Sequence, residues 1–293
     1  MSNMNKILFA LFFIGISYSI HAQDDLLDLV DDDGENVEEV KSVFKGSRVV
    51  LGHSTKTKKK GELDFLISHR FGRINTGSYT LWGLDDARIR LGLEYGITDD
   101  LNVAIGRSSY DKTFDTFVKY KFIKQKTVGN PVSMVAFSSL TVNSFPRKEE
   151  DSTIVFKDRL AYTAQLLISR KINSNLSFQL SPIFVHKNRF DALNIKENTL
   201  AIGIASRYKI TPSVSFNLEY FYRLNAPDNS QTNDVFSVGF DIETGGHVFQ
   251  LHFTNSIMSV EKAFLTEVQD DFFDGDIHFG FNISRTFQLS RPN

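Results

Sequence analysis

Cysteine is absent from the 293 residues, so no disulfide framework, thiolate nucleophile or cysteine-based metal site exists. Proline is scarce, at six residues, which leaves long stretches free to run as uninterrupted strands. Charge of one sign is lacking too. The 33 basic and 35 acidic residues give a formal −2, and such a chain gives no reason to expect nucleic acid as a partner. Past the N-terminus no apolar run approaches the ~20 residues of a membrane helix. What is plentiful is phenylalanine, at 27 residues, and an aromatic surplus suits strands.

The N-terminus reads as a processing signal. Lys6 supplies the positive end, Ile7 to Ile20 (ILFALFFIGISYSI) an apolar stretch, and Ala22 a small residue at the cleavage point. This predicts a cleaved signal peptide over residues 1–22. An exported chain without a membrane helix is either soluble or a β-barrel. Residues 23–42 are strongly acidic and read as a flexible leader. The Asp-rich run fails as a calcium loop. With Gly34 at the turn position, Leu29 and Val40 fall where oxygen ligands are needed. Within the leader region, 23–60, Val43 to Gly52 is a candidate extra short strand, and 43–60 as a whole is a candidate plug folding inside the barrel. Its end, HSTKTKKK, reads as a solvated loop, with contact to anionic lipid phosphates as the alternative.

From Gly61 the pattern becomes regular. In DARIRLGLEYGITDDLNVAIGRSS (86–109), apolar and polar residues alternate on both sides of a short break, which is a hairpin with one apolar and one polar face. The same reading gives twelve strands: 61–72, 86–97, 100–109, 113–123, 132–143, 157–171, 175–187, 197–210, 213–223, 234–243, 247–256 and 276–288. The fifth, near Met134 to Val142, does not resolve into two faces. Connections alternate between short turns such as Thr98-Asp99-Asp100 and mostly longer loops such as 73–85, 144–156 and 257–275. The expected fold is an all-β, antiparallel, up-and-down transmembrane barrel over 61–289, with a short tail at 290–293.

Periodicity alone does not say which face is wet. Strands of about 10–13 residues exceed the ~5–6 of globular strands and suit a bilayer crossing. Short turns on one rim and longer loops on the other match an outer-membrane barrel. Aromatics crowd the strand ends, including Tyr95, Phe114, Phe122, Tyr208 and Phe287. These point the apolar face to lipid, with a soluble periplasmic barrel as the alternative. The lumen would then be lined by Arg88, Arg90, Glu94, Asp115, Lys119, Lys121, Arg159, Arg207, Lys209, Glu219, Asp241, His252 and His278.

The stretches GELDFLISHRFGRINTG (61–77) and GLDDARIRLGLEYGITDDLNVAIGRSS (83–109), with VFKGSRVVLGHS before them, resemble the membrane-bound β-barrel domain family of Gram-negative Bacteroidota. That resemblance implies an outer-membrane location and a barrel fold. It implies no activity and no catalytic residues.

Site chemistry is sparse. The seven histidines are scattered singly, without an HExxH or a close pair. His252 and His278 are expected on neighbouring strands of the lumen face, where hydrogen-bonded imidazoles are the simpler reading than a metal site. No G-x-S-x-G stretch marks a serine nucleophile, and Gly-rich phosphate loops are absent. The expectation is a protein without catalytic residues, metal or cofactor: a narrow pore or transporter passing a small solute, seated in outer-membrane lipid. The alternative is a closed barrel serving as a binding or structural surface protein. Around eight strands fill their interior with side chains and ~16–18 leave a channel, so twelve decides neither.

Overall fold

The structure is a computed structural model that describes residues 38–41, 43–145, 155–188, 197–227 and 230–289. The signal peptide, most of the acidic leader and the tail predicted from the sequence lie outside the described residues. The described residues from Glu39 onward form one compact unit.

Twelve antiparallel strands close into a barrel in which each strand pairs with its neighbours in chain order and β1 pairs with β12. They are β1 Glu62–Arg73, β2 Ala87–Gly96, β3 Leu101–Ser108, β4 Phe114–Ile123, β5 Ser133–Val142 and β6 Leu160–Lys171. The second half continues with β7 Leu176–Lys187, β8 Asn198–Lys209, β9 Val214–Arg223, β10 Val235–Thr244, β11 His247–Thr254 and β12 His278–Gln288. One short helix, α1 (Glu261–Thr266), interrupts the connection from β11 to β12. Closure leaves no unpaired edge, as a bilayer crossing requires.

The two faces separate as the alternation demands. On β2, Arg90 and Glu94 are buried inside while Leu91 and Leu93 are more than 40% exposed outside. The outward set continues with Ile105, Val118, Leu180, Leu200, Phe240 and Leu251. An apolar belt of this extent suits contact with lipid. One rim carries the turns after β2, β4, β6, β8 and β10, together with the start of β1 and the end of β12; the other carries the remaining, mostly longer loops. At the short-turn rim Arg285, which breaks the apolar row of β12, lays its guanidinium over the Phe287 ring at 4.9 Å.

Two local departures have physical causes. β6 begins at Leu160 rather than 157, because Phe156–Arg159 close a 3₁₀ turn in which the Val155 N–H donates to the Asp158 carboxylate at 2.9 Å. β5 is a regular strand, and its ambiguous sequence follows from an inward face that is partly apolar. Val135 and Phe137 point inside with Ala104, Phe117 and Leu167 and pack there against protein rather than water.

Candidate functional site

The lumen is occupied from both ends. From the short-turn rim, the Val40 N–H donates to the Gln125 carbonyl at 2.8 Å, and Glu39 bridges Lys126. The chain then runs inward as VFKGSRVVLGHSTKTKKK (43–60) and reverses direction inside. The reversal is tied by Val49 N to Gly52 O and by Ser54 N to Ser47 O, both 2.9 Å. It leaves by the same rim, where Thr57 Oγ1 donates to Asp99 O at 2.8 Å. The segment therefore folds back on itself inside the barrel, and this inserted stretch is called the plug.

An irregular backbone inside a barrel needs partners for its amides and carbonyls. The wall supplies them. Leu51 and Gly52 donate their N–H groups to Glu219 at 2.8 and 3.1 Å. Gln250 donates to Val49 O at 2.9 Å, Asn282 to Val50 O at 2.9 Å, Gln179 to His53 O at 2.7 Å and Lys119 to Lys56 O at 2.9 Å. Gly52 lets the tip approach the wall closely: a Cβ there would fall 2.6 Å from Phe221 Cζ and 2.8 Å from Glu219 Oε1, so both side chains would have to shift.

From the opposite rim the β11–β12 connection descends, and all six residues of α1 are buried. The two insertions meet at one carboxylate. Glu261 Oε1 lies 2.9 Å from Arg48 Nη1 and 3.1 Å from His53 Nε2. Burial works against ionisation of Glu261. Arg48, His53 and Arg90 outweigh it and hold the carboxyl well below its usual range. Burial, reinforced by Arg48, lowers the His53 imidazole from 6.5 to about 3, so this ring is neutral. It stands between Phe117 and Phe137 at centroid distances of 4.5 and 4.3 Å. Beside it Arg90 and Asp115 form a two-point ion pair, Nε to Oδ1 being 2.9 Å.

Apolar packing joins these parts. Val49, Val50 and Leu51 at the tip cluster with Ile183, Val185 and Phe221 of the wall and Phe264 and Leu265 of α1. Each Val or Leu taken fully from water contributes about 1.5–3 kcal/mol. Toward the long-loop rim, Lys187 donates to Glu267 at 2.7 Å, and Lys262 lies 2.9 Å from the same carboxylate. His278 bonds Asp270 at 2.6 Å and the Phe71 carbonyl at 2.8 Å, which ties the descending loop to β1 and β12.

The sequence profile of the membrane-bound β-barrel domain matches residues 44–287, which takes in the plug from Phe44 onward as well as nearly all of the wall. The chain belongs to that family. No curated protein matches it. Among solved structures it is similar to the NanC porin at 10% identity, with 78% of this chain and 100% of that chain covered and a TM-score of 0.49. It is similar also to an outer membrane channel from Pseudomonas putida F1, at 12% identity, 80% and 98% coverage and a TM-score of 0.45. A third is outer membrane phospholipase A from Escherichia coli, at 9% identity, 78% and 93% coverage and a TM-score of 0.41. Likeness at this level assigns no activity.

In this membrane-bound β-barrel the thirteen residues named from the sequence lie at different depths. Arg90, Glu94, Asp115, Lys119, Arg207, Glu219, Asp241, His252 and His278 are buried inside. Lys121 and Lys209 are half-buried near the short-turn rim. Arg88 is exposed at the long-loop end of β2, beside Asp86. Arg159 precedes its strand, and its guanidinium caps the carbonyls of Asn143 and Phe145 at the rim. The lysine run also divides. Lys59 and Lys60 are exposed, but Lys58 is buried against Asp64 at 2.9 Å, so it is neither a solvated loop residue nor a lipid contact. Arg48, His53, Arg70, Gln250, Glu261 and Asn282 are interior residues that the alternation did not single out. The available signal was the apolar VVLG within a segment free of acidic residues, and Arg70 follows from the parity of Ser68 on β1.

Proposed function

We propose that this protein is an outer-membrane channel held closed by its own N-terminal segment, and that it admits small polar solutes when that segment withdraws. The observation that carries this reading is the way residues 43–60 sit. They enter and leave by one rim, are covalently continuous with the wall at β1, and are held inside by side chains of the wall bonding their backbone. A stopper attached in this way can leave through the rim it entered without breaking a strand pair. Short turns on one rim and longer loops on the other support an outer-membrane location with the plug entering from the periplasmic side. Export by the signal over residues 1–22 and the absence of catalysis complete the reading. Among the described residues no three His, Cys, Asp or Glu side chains gather as a metal site.

The second reading, a permanently closed barrel that presents loops to a partner, is favoured by the continuous apolar cluster that joins tip, wall and α1. Planar-bilayer recording of the purified full chain separates the two. The channel reading expects rare single-channel steps in the wild type and longer open times in Arg48→Gln, which removes the cation from Glu261. A barrel shown to be folded by its heat-modifiable migration, yet silent as wild type and as Arg48→Gln, establishes the closed barrel instead.

A further inference from the structure

Residues 43–60 carry Lys45, Arg48, Lys56, Lys58, Lys59 and Lys60 and no acidic residue. A run of cations is usually solvated, yet the part that fills the lumen is seated on carboxylates. Lys45 pairs with Glu243 at the short-turn rim, and Lys58 lies 2.9 Å from Asp64 on β1. Arg48 lies 2.9 Å from Glu261, and the amides of Leu51 and Gly52 point at Glu219. These carboxylates differ from the others inside the barrel. Asp115 is matched by Arg90, Glu94 faces Lys119 at 3.9 Å, and Glu267 is held between Lys187 and Lys262. Those pairs are internal to the wall and its loop, and they stay balanced when the plug leaves. Lys119 and Arg207 give up acceptors on the plug backbone, while Arg70 already bonds neutral acceptors, Asn282 Oδ1 and the Phe281 carbonyl. Withdrawal therefore takes the plug's cations from Asp64, Glu243 and Glu261 and its amides from Glu219 at successive depths, leaving Asp64 with Thr286 and Glu261 with Arg90.

We propose that the open lumen is a pathway for cations and that residues 43–58 are a built-in cationic ligand occupying it. The inference rests on the channel reading above and adds the class of solute. Carboxylates spaced along a narrow bore raise the local concentration of positive ions and exclude anions. A basic extended segment held by backbone bonds and ion pairs also shows what the bore accommodates: a small inorganic cation or a cationic amine. The plug's own charge adds a second consequence. A polycation that leaves by one rim responds to the sign of the membrane potential, because moving charge through the field does electrical work.

The test is a reversal-potential measurement on the full chain in planar bilayers under a KCl gradient. Open events are expected to prefer K⁺ over Cl⁻ by roughly threefold or more, and to concentrate at the polarity that makes the short-turn side negative. Asp64→Asn and Glu219→Gln, each in the full chain, are expected to move the permeability ratio toward one, and Asp64→Asn serves alone if Glu219→Gln does not fold. Spermine on the short-turn side is expected to block the open state. Openings that prefer Cl⁻, a ratio unmoved by the substitutions, or equal opening at both polarities overturn the cation pathway and leave the channel reading standing. Silence in every variant overturns the channel reading itself.

Discussion

Adjacent residues on β2 carry opposite obligations. Leu91 faces outward and is 44% exposed, while Arg90 faces inward and is about 1% exposed. Leu91→Arg places a charge against lipid near the middle of the strand and is expected to cost about 2–4 kcal/mol. The alternation alone suggests that Arg90→Leu is mild, a change in the lining of a wet lumen. The two-point pair with Asp115 reverses that expectation. Removing Arg90 strands a buried carboxylate, with a penalty on the order of 3–5 kcal/mol. The double variant Arg90→Leu/Asp115→Leu removes both charges and is expected to recover most of the loss. Urea titration of refolding into lipid vesicles, read on all three variants, checks the pair. If Arg90→Leu alone matches the wild type, the interior pair carries no stability and the inward assignment loses its energetic support.

At the scale of elements, wall and plug obey different logics, and this governs what the sequence discloses. A strand announces itself locally, since period two is visible within ten residues, and the twelve strands read from the sequence start and stop within a few residues of those observed. β5 blurs the pattern because its inner face meets His53, Phe117 and Leu167 instead of water. The plug has no period. Its partners lie far along the chain, 168 residues from Leu51 to Glu219 and 232 from Val50 to Asn282, and no window of sequence contains both sides of such a bond. On the channel reading, the meeting of plug and α1 makes closure pH-dependent. His53 titrates near 3 when buried and near 6.5 when released, so the withdrawn state binds the extra proton as pH falls through that interval. Its contribution to closure is complete above pH 6.5 and shrinks below it, by about 2–3 kcal/mol at about pH 4.5. Glu261, held below its usual range, favours closure above the ordinary carboxylate range and loses that contribution as it protonates at lower pH, so both groups act in the same direction. Open probability is expected to rise on acidification from about pH 7.5 to about pH 4.5, and His53→Gln is expected to flatten the upper part of that rise. A profile identical in the two proteins removes His53 from the latch.

For the whole molecule the decisive matter is whether the plug moves as a body relative to the wall. Thr55 of the plug and Ser169 of β6 touch through their hydroxyl oxygens at 2.5 Å, and both are buried. Two side chains in contact through atoms one bond from Cβ are placed within reach of a disulfide, whose Cβ atoms stand ~3.5–4.5 Å apart. The natural chain has no cysteine, so a Thr55→Cys/Ser169→Cys pair can oxidise only with itself within one molecule. The bond would pin the returning limb of the plug to β6 near the short-turn rim and leave the barrel and its charges intact. Under oxidising conditions the double variant is expected to remain closed at every voltage and pH that opens the wild type, and a reductant is expected to restore wild-type openings. Each single variant is expected to behave as the wild type under both conditions. Should the oxidised double variant, its cross-link verified by mass, open as often as its reduced form, conduction would have to pass beside a stationary plug. Withdrawal would then no longer be the gate, and the space between plug and wall would have to carry the current.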